Sequence, residues 1–521
     1  MTRISSTISA AAVAALVACA PAVRSSPQTT PATRLRIIGL NDFHGALEAR
    51  PEASGRLRGG AAAVAAAIRQ AADECIAPAC EALILDAGDE FQGTPASNFA
   101  YGRPVVEIFN RIGVAAAALG NHEFDWGQDT LRARMAQARY GFFGANVRNV
   151  DGSDVPWIRN DTVIARGALR IGVVGVATKE TATSAKPTLV ANLRFVDAAR
   201  IVDSLAERLR ARGATFVIVV AHAGTFCATS VGDNCEGEIV DLARKLTPGR
   251  VDAIVSGHTH SRVNTIVNGV TIVQARSRGL AIDVVDLPVA TPRSVHAEIR
   301  EIYTDSLAPD TAVARVVASA VATVAPIVNR PIATIRDAMD KDSAAIGNLI
   351  ADAFRTRGGA DFAILNAGAV RADLRAGPAT FGEVFEVQPF GNILYRLTAS
   401  GASMRRYFEK LVAERRTRGY LSGAVVGFDS TRAAGQRITS VCLPGGRELD
   451  SSATYSIVIN DFMLAGGSRL GFDAPVVKQE ALNLTDLDAL TAYLAAARQP
   501  VAAPAERRLT PSPSAGCSGA R

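Results

Sequence analysis

An α/β sandwich followed by a smaller α/β unit is predicted by three observations. From residue 34 to about 289, short apolar runs alternate with Ala-rich stretches, the pattern of strands and helices in turn. Five of those runs end in a polar cluster carrying Asp, His or both. In open α/β sheets the ligand crevice lies outside the carboxyl ends of the strands. The alternation then stops at an Ala/Val-rich stretch, 311–327, and a different pattern follows it.

The elements follow in order. Arg3 precedes an apolar run over 8–18, too short for a permanent membrane helix, which ends in Leu16-Val17-Ala18-Cys19. That ending resembles a bacterial lipobox. Residues 1–33 are therefore expected to be a signal peptide, lipobox and Pro/Ser/Thr-rich linker, with Cys19 lipidated; the alternative is a plain secretory signal cut near Ala18-Cys19-Ala20. The expected location is the periplasm, outer membrane or cell envelope, with the membrane reached only through Cys19. No later stretch is expected to span a bilayer.

The run 35–40 reads as a strand ending in Asn41-Asp42-Phe43-His44-Gly45, and Gly59-Gly60 opens an Ala-rich helix over 61–72. The strand 83–85 ends in Asp86-Ala87-Gly88-Asp89, and 105–111 is helical. The run 114–119 leads into Gly120-Asn121-His122-Glu123-Phe124-Asp125. Strands at 171–176, 216–220 and 251–255 flank a helix at 197–212. The second of these strands ends in Ala221-His222-Ala223-Gly224 and the third in Ser256-Gly257-His258-Thr259-His260.

Residues 304–310 read as loop and 311–327 as a connecting helix. Beyond it come a helix at 346–355, a strand at 362–365 and hairpin-like runs at 423–428 and 455–459. The Pro/Ala/Ser-rich end, 502–521, is expected to hug the surface or fray. The expected division is 34–305, a helical linker 306–330, a second unit 331–505 and a tail 506–521.

With 521 residues, 48% hydrophobic and 20% charged, the chain is globular and large enough for several domains. Its net charge of +6 carries no basic run with interleaved aromatics, which excludes a nucleic-acid polymer as partner. Seven cysteines fit an oxidising compartment. With Cys19 set aside, short separations favour Cys75–Cys80 and Cys227–Cys235, and Cys442–Cys517 follows by elimination. No Cys-x-x-Cys pair points to a zinc knuckle.

Five of the six histidines follow a strand within a Gly-containing polar loop; only His296 lies in a plain polar stretch. Two Asp, one Asn and four His suffice for two divalent ions. Such N and O donors, without thiolate, suit Zn, Mn, Fe or Co. Two-metal hydrolases hold their ions ~3.5–4 Å apart, which needs a shared carboxylate. Asp89, on a Gly-flanked turn, is the best candidate. His122, if not itself a ligand, can stabilise charge developing on a phosphoryl group, with Asp125 orienting it.

These blocks resemble the calcineurin-type metallophosphoesterase signature. The Gly-Asn-His-Glu-Phe-Asp form, with Asp89-x-x-Gln92-Gly93-Thr94, resembles that of the 5′-nucleotidase family. The resemblance implies one metal held by Asp42, His44, Asp89 and His260. The second would be held by Asp89, Asn121, His222 and His258, with His122 and Asp125 as the transition-state dyad. Glu123 reads as structural, and Gln92 and Thr94 as shaping the loop beneath Asp89.

The likeness continues beyond residue 331. Gly347-Asn348 opens a matching helix, and Asn366-Ala367-Gly368-Ala369-Val370-Arg371 resembles a family turn. Gln388-Pro389-Phe390-Gly391-Asn392 and Asn460-Asp461-Phe462 resemble its base-binding blocks. Phe390 and Phe462 would sandwich a nucleobase, Asn392 would contact its ring and Arg371 would reach the phosphate. Asn366 and Gly368 complete the substrate residues.

Three departures matter. Ser468 stands where the family often has a ribose-gripping Asp, Asp342 stands where many members have Arg, and a triple glycine is reduced to Gly368. The implied activity is a secreted dimetal 5′-nucleotidase. The departures keep open a UDP-sugar hydrolase, a 2′,3′-cyclic-nucleotide phosphodiesterase or another ester hydrolase. A non-catalytic, ligand-capturing surface protein is the reading of another class. A hinge is expected near 311–330, because a stacking site in one unit must swing over metals in the other.

Overall fold

The computed structural model describes residues 1–2, 33–52, 54–229, 234–290, 294–413, 419–511 and 517. The lipobox, Cys19 and the tether lie outside the described residues. The architecture is mixed α/β, as the alternation predicts.

Two six-stranded sheets make a sandwich. The first runs in the order His296–Glu301, Ala281–Pro288, Arg34–Leu40, Cys80–Asp86, Ala116–Ala118, Gly141–Phe143. Its last four strands are mutually parallel, whereas Ala281–Pro288 is antiparallel to Arg34–Leu40. The second sheet runs Arg262–Val267, Val270–Ala275, Ala253–Ser256, Phe216–His222, Leu169–Ala177, Asp161–Arg166. Its middle four strands are parallel and both edges antiparallel.

Strand side chains alternate between faces, and this alternation assigns the layers. Leu35, Ile37, Leu83, Leu85, Ile218 and Val220 fill the space between the sheets. The intervening Ile38 and Leu40 face outward onto Val64, Ile68 and Ala71 of the helix Ala61–Asp73. Val217 and Val219 likewise meet Val202, Leu205 and Leu209 of Ala199–Ala211. Strands covered on both faces read as continuous apolar runs, which is why they stand out in the sequence. Parallel strands share one carboxyl edge, so the five polar loops meet there. Leu40 is level with Asp86, Asp86 with Ala117, and Ala221 with Ser256.

The helix Thr311–Val328 begins at Asp310, whose carboxylate accepts the N–H groups of Ala312 and Val313. Contrary to expectation, it is long and apolar enough to cross a membrane, with a mean hydropathy of 1.8 over 18 residues. Its Ala/Val composition gives that value. It packs on Ala61–Asp73, on Pro95–Asn98 and Arg103–Ile112, and on Phe381–Val387.

Beyond it, a five-stranded sheet runs Gly419–Ser422, Phe362–Asn366, Thr454–Asn460, Ile393–Ser400, Lys478–Thr485. The helices Ala344–Gly358 and Asp486–Ala496 cover one face through Ile346, Leu349, Ile350, Leu490 and Leu494. The helix Gly401–Glu409 and a three-stranded sheet cover the other. The tail differs from expectation, because Leu509–Pro511 is a strand paired in parallel with Val425–Phe428. Disulfides join Cys75 to Cys80, Cys227 to Cys235 and Cys442 to Cys517. The last one ties the tail down.

Candidate metal centre and substrate cavity

At the carboxyl edge of the sandwich, side chains from all five loops approach one another. Asp42, His44 and His260 offer ligand atoms within 4.8 Å of one another, and so do Asp42, Asp89 and His222. The Nε2 atoms of His44 and His260 are 3.0 Å apart, and His260 Nε2 is 3.3 Å from Asp42 Oδ1. Asp89 Oδ2 lies 3.1 Å from His222 Nε2 and 3.8 Å from His44 Nε2, between the two groups. His222 Nε2 is also 3.1 Å from Asn121 Oδ1.

The ring tautomers follow from the acceptors behind them. A carbonyl can only accept, so His44 Nδ1–H donates to Gln92 O (2.9 Å) and His222 Nδ1–H to Ala87 O (2.8 Å). Both Nε2 lone pairs are left facing the carboxylates. Burial opposes charge on His222, yet Asp89 and Asp42 raise its pKa to about 10, so a proton holds the Nε2 lone pair until a metal ion displaces it. An enclosed set of lone pairs around buried carboxylates is what a cation satisfies, so the residues present fit divalent metals with N and O ligands.

His258 behaves differently. Its main-chain N–H donates to the Asp42 carboxylate (2.9 and 3.0 Å), and its ring packs edge-on to His222. Its Nε2 meets Glu180 Oε2 at 3.1 Å, and it belongs to neither tight group.

Five of these residues have left-handed backbone: Asp42, His44, Asp89, His258 and His260, with φ of 48°, 51°, 58°, 81° and 55°. Such conformations cost ~1–3 kcal/mol each and persist only where the surroundings impose them. Glu123 is one such constraint. Its carboxylate accepts N–H bonds from Asp89, Glu90 and Gly120, each 2.8 Å. Burial and the neighbouring Asp89 push it up to about 7. A Cβ at Gly120 would stand 2.1 Å from Asp89 Oδ1, so only glycine fits there. Thr94 Oγ1 donates to Gly45 O, and Gly93 N–H to Asn98 Oδ1, closing the loop under Asp89.

His122 Nδ1 is 2.7 Å from Asp125 Oδ2. Burial disfavours the imidazolium, but Asp125 and Asp89 leave its pKa raised overall. Arg371 Nη2 stands 3.5 Å from both His44 Nε2 and His122 Nε2, bringing a guanidinium from the second part over the cluster.

A cavity of about 420 Å³ opens from this cluster towards the second part. Phe390 and Phe462 both line it, as do Asn366, Gly368, Arg371 and Asn392. Phe390 stacks on His122 with centroids 5.7 Å apart and planes at 26°. Gly467 leaves room for the Phe462 ring, which a Cβ there would meet at 2.5 Å. Asn366 Nδ2 donates to Ser468 Oγ (3.3 Å), so Ser468 does line the cavity. Asp342 pairs with Lys341 and is 80% exposed, away from the cavity lining.

The two parts meet around this cavity. Gln92 and Asn98 both donate to Pro389 O, beside Phe390 (3.4 and 3.1 Å). Arg278 donates to Arg371 O, and Lys186 pairs with Asp461 at 2.6 Å. Lys186, Glu180 and Trp126 line the cavity as well, and the motif blocks do not include them.

Asp486 is another residue that sequence reasoning missed. It accepts from Asn392 Nδ2 at 3.0 Å and orients that amide. Burial pushes it up to about 7, above the ordinary value near 3.9. The folded chain thus keeps a proton that the unfolded chain loses. Its carboxylate should cost stability as pH rises from ~4 to ~7. Asp486→Asn should flatten that part of the profile, measured as denaturant midpoint at pH 5 and pH 8. An unchanged slope would show that Asp486 is already ionised.

The fold and the cluster resemble those of a calcineurin-like phosphoesterase domain. A family model described as "Calcineurin-like phosphoesterase" matches residues 35–262, and one described as "5'-nucleotidase, C-terminal domain" matches 319–476. The two models together place a calcineurin-like domain and a 5′-nucleotidase C-terminal domain in this chain, in that order. It is 30% identical to endonuclease YhcR of Bacillus subtilis over 91% of this chain, but spans only 41% of that relative. It is 26% identical to a 5′-nucleotidase of Vibrio cholerae, covering 89% of this chain and 90% of the relative. The crystal structure of a 5′-nucleotidase precursor from Thermus thermophilus superposes with a TM-score of 0.80 at 26% identity. That match covers 92% of this chain and 99% of the other.

Proposed function

We propose that this chain is a dimetal phosphoesterase that hydrolyses nucleoside 5′-phosphates to nucleoside and phosphate. One observation carries the reading: a cation-fitting cluster and two aromatic rings face the same cavity. In this reading Asp42, His44, Asp89 and His260 hold one ion, and Asp89, Asn121, His222 and His258 the other. When bound, two such ions act as Lewis acids on the phosphoryl group and lower the pKa of the attacking water.

The chain's own residues do the rest. Arg371 binds phosphate oxygens with its guanidinium. His122, oriented by Asp125, donates to the oxygen on which charge develops. Phe390 and Phe462 stack on the base and Asn392 contacts its edge. Residues 34–305 would form the catalytic domain, 306–330 the linker and pivot, and 331–505 the substrate domain. Three disulfides support export from the cytosol, where Cys19 would supply the anchor.

The test is phosphate release from AMP, UDP-glucose, 2′,3′-cyclic AMP and an aryl phosphate, with and without Mn, Zn or Co. AMP should be hydrolysed, and a chelator should stop it. A second reading, hydrolysis of 2′,3′-cyclic nucleotides, which have no free ribose diol, or of UDP-sugars, is kept open by Ser468, which lines the cavity where the resemblance implies a ribose-gripping Asp. Activity on those substrates but not AMP would establish it. No release from any of them with metal bound would favour ligand capture.

Phe390→Ala tests the stacking role. Base–aromatic stacking is worth ~1–3 kcal/mol. KM for AMP should therefore rise about 5- to 150-fold more than KM for an alkyl phosphate, which has no base to stack. Equal effects on both would put Phe390 outside base recognition.

A further inference from the structure

We propose that Glu180 is a positioning residue for His258, holding the ring so that Nδ1, rather than Nε2, binds the second ion. The proposal rests on the metal assignment above and extends it to a residue outside the motif blocks.

A metal-binding histidine has one nitrogen for the ion, and an acceptor behind the other sets tautomer, orientation and basicity. His44 and His222 both show this arrangement. Each gives Nδ1–H to a main-chain carbonyl and keeps Nε2 for the cluster. His258 is arranged the opposite way round. Its Nε2 faces the Glu180 carboxylate at 3.1 Å. A carboxylate accepts, so Nε2 carries the proton and Nδ1 is the only ring nitrogen with a lone pair. The Asp42 carboxylate holds the His258 main-chain N–H, which fixes the ring's point of attachment. Between these two anchors the imidazole has little freedom.

Glu180 is itself held in place. Its N–H donates to Thr178 Oγ1, and the Thr178 hydroxyl donates to Glu238 Oε2 (2.6 Å). The Lys179 N–H donates to the other oxygen of Glu238 (3.1 Å). The Glu180 main-chain carbonyl accepts the N–H groups of Thr183 and Ser184 at the start of the short helix Thr181–Ser184, which packs on Gly467–Arg469 of the second part. The residue that orients His258 therefore sits where the two parts of the chain meet. Of the three histidines, His258 alone has a carboxylate partner at its outer nitrogen. A carboxylate raises ligand basicity more than a neutral carbonyl does, so Glu180 should matter to one ion and not to the other.

The experiment is calorimetric titration of the metal-free full chain with Mn(II) or Zn(II). Wild type should take two ions. Glu180→Ala should weaken one of them by ~10–100-fold and leave the other unchanged. Glu180→Gln keeps an acceptor for Nε2–H and should recover part of the loss, and it serves as the variant of choice should the alanine variant fail to fold. In a His258→Ala background, Glu180→Ala should cause no further loss, because it acts through that ring. Wild-type affinity at both sites in Glu180→Ala would overturn the proposal. A loss that adds to that of His258→Ala would also overturn it, because Glu180 would then be a ligand in its own right. If wild type itself takes no ions, the metal assignment fails first and takes this proposal with it.

Discussion

Asp89→Asn should release both metal ions and reduce AMP hydrolysis by at least ~10³-fold, since the ions supply several kcal/mol of transition-state stabilisation. The expectation follows from one atom. Asp89 Oδ2 is 3.1 Å from His222 Nε2 and 3.8 Å from His44 Nε2, so it belongs to both ligand groups. Asparagine is among the few residues that tolerate the left-handed backbone found there. Its carbonyl oxygen can still accept the His122 N–H that Asp89 Oδ1 accepts now. The loop should therefore keep its shape while the bridging charge is lost. Metal content by elemental analysis decides the matter. One ion retained at wild-type affinity would show that Asp89 serves a single site and that the shared carboxylate lies elsewhere, with Asp42 next in line.

His122→Ala should keep both ions yet lose ~10²–10⁴ of kcat, the usual worth of a positioned donor at the reacting group. No ring nitrogen of His122 enters either tight group, and its Nδ1 is committed to Asp125. What the ring faces is Phe390 and the Arg371 guanidinium. That places it over the cluster rather than in it. Metal stoichiometry and turnover, measured on the same sample, separate the roles. If the ions leave with the ring, His122 is a ligand and the proposed division of labour is wrong.

Much of this is legible in the chain itself because two physical signals coincide. Strands buried on both faces appear as uninterrupted apolar runs, and their carboxyl ends must gather on one edge. Asp42, Asp89, His122, His222 and His260 can therefore be placed near one another without coordinates. Periodicity also places the helices, as at Ala61–Asp73 and Thr311–Val328. The tail departs from its sequence pattern because a Pro-rich composition looks like coil, whereas a neighbouring strand and Cys442 hold it in place.

Glu123 is visible inside a motif, but its task is not. Three N–H groups from two separate loops converge on it only after folding. Asp486 and Glu180 carry no local mark at all. Each acts on a residue about 80 to 95 positions away in the chain, through a single contact that spacing cannot reveal.

The left-handed backbone at Asp42, His44, Asp89, His258 and His260 has a consequence for what the chain has retained. At each position a glycine would relax the main chain, so the easiest route to a sturdier protein is to discard the very side chains that surround the cluster. A protein whose work had shrunk to holding ligands on a surface would be free to take that route. This one keeps all five imidazoles and carboxylates on a backbone that most side chains avoid. Local comfort has been given up for the reach of these groups, a trade that fits the proposed hydrolysis.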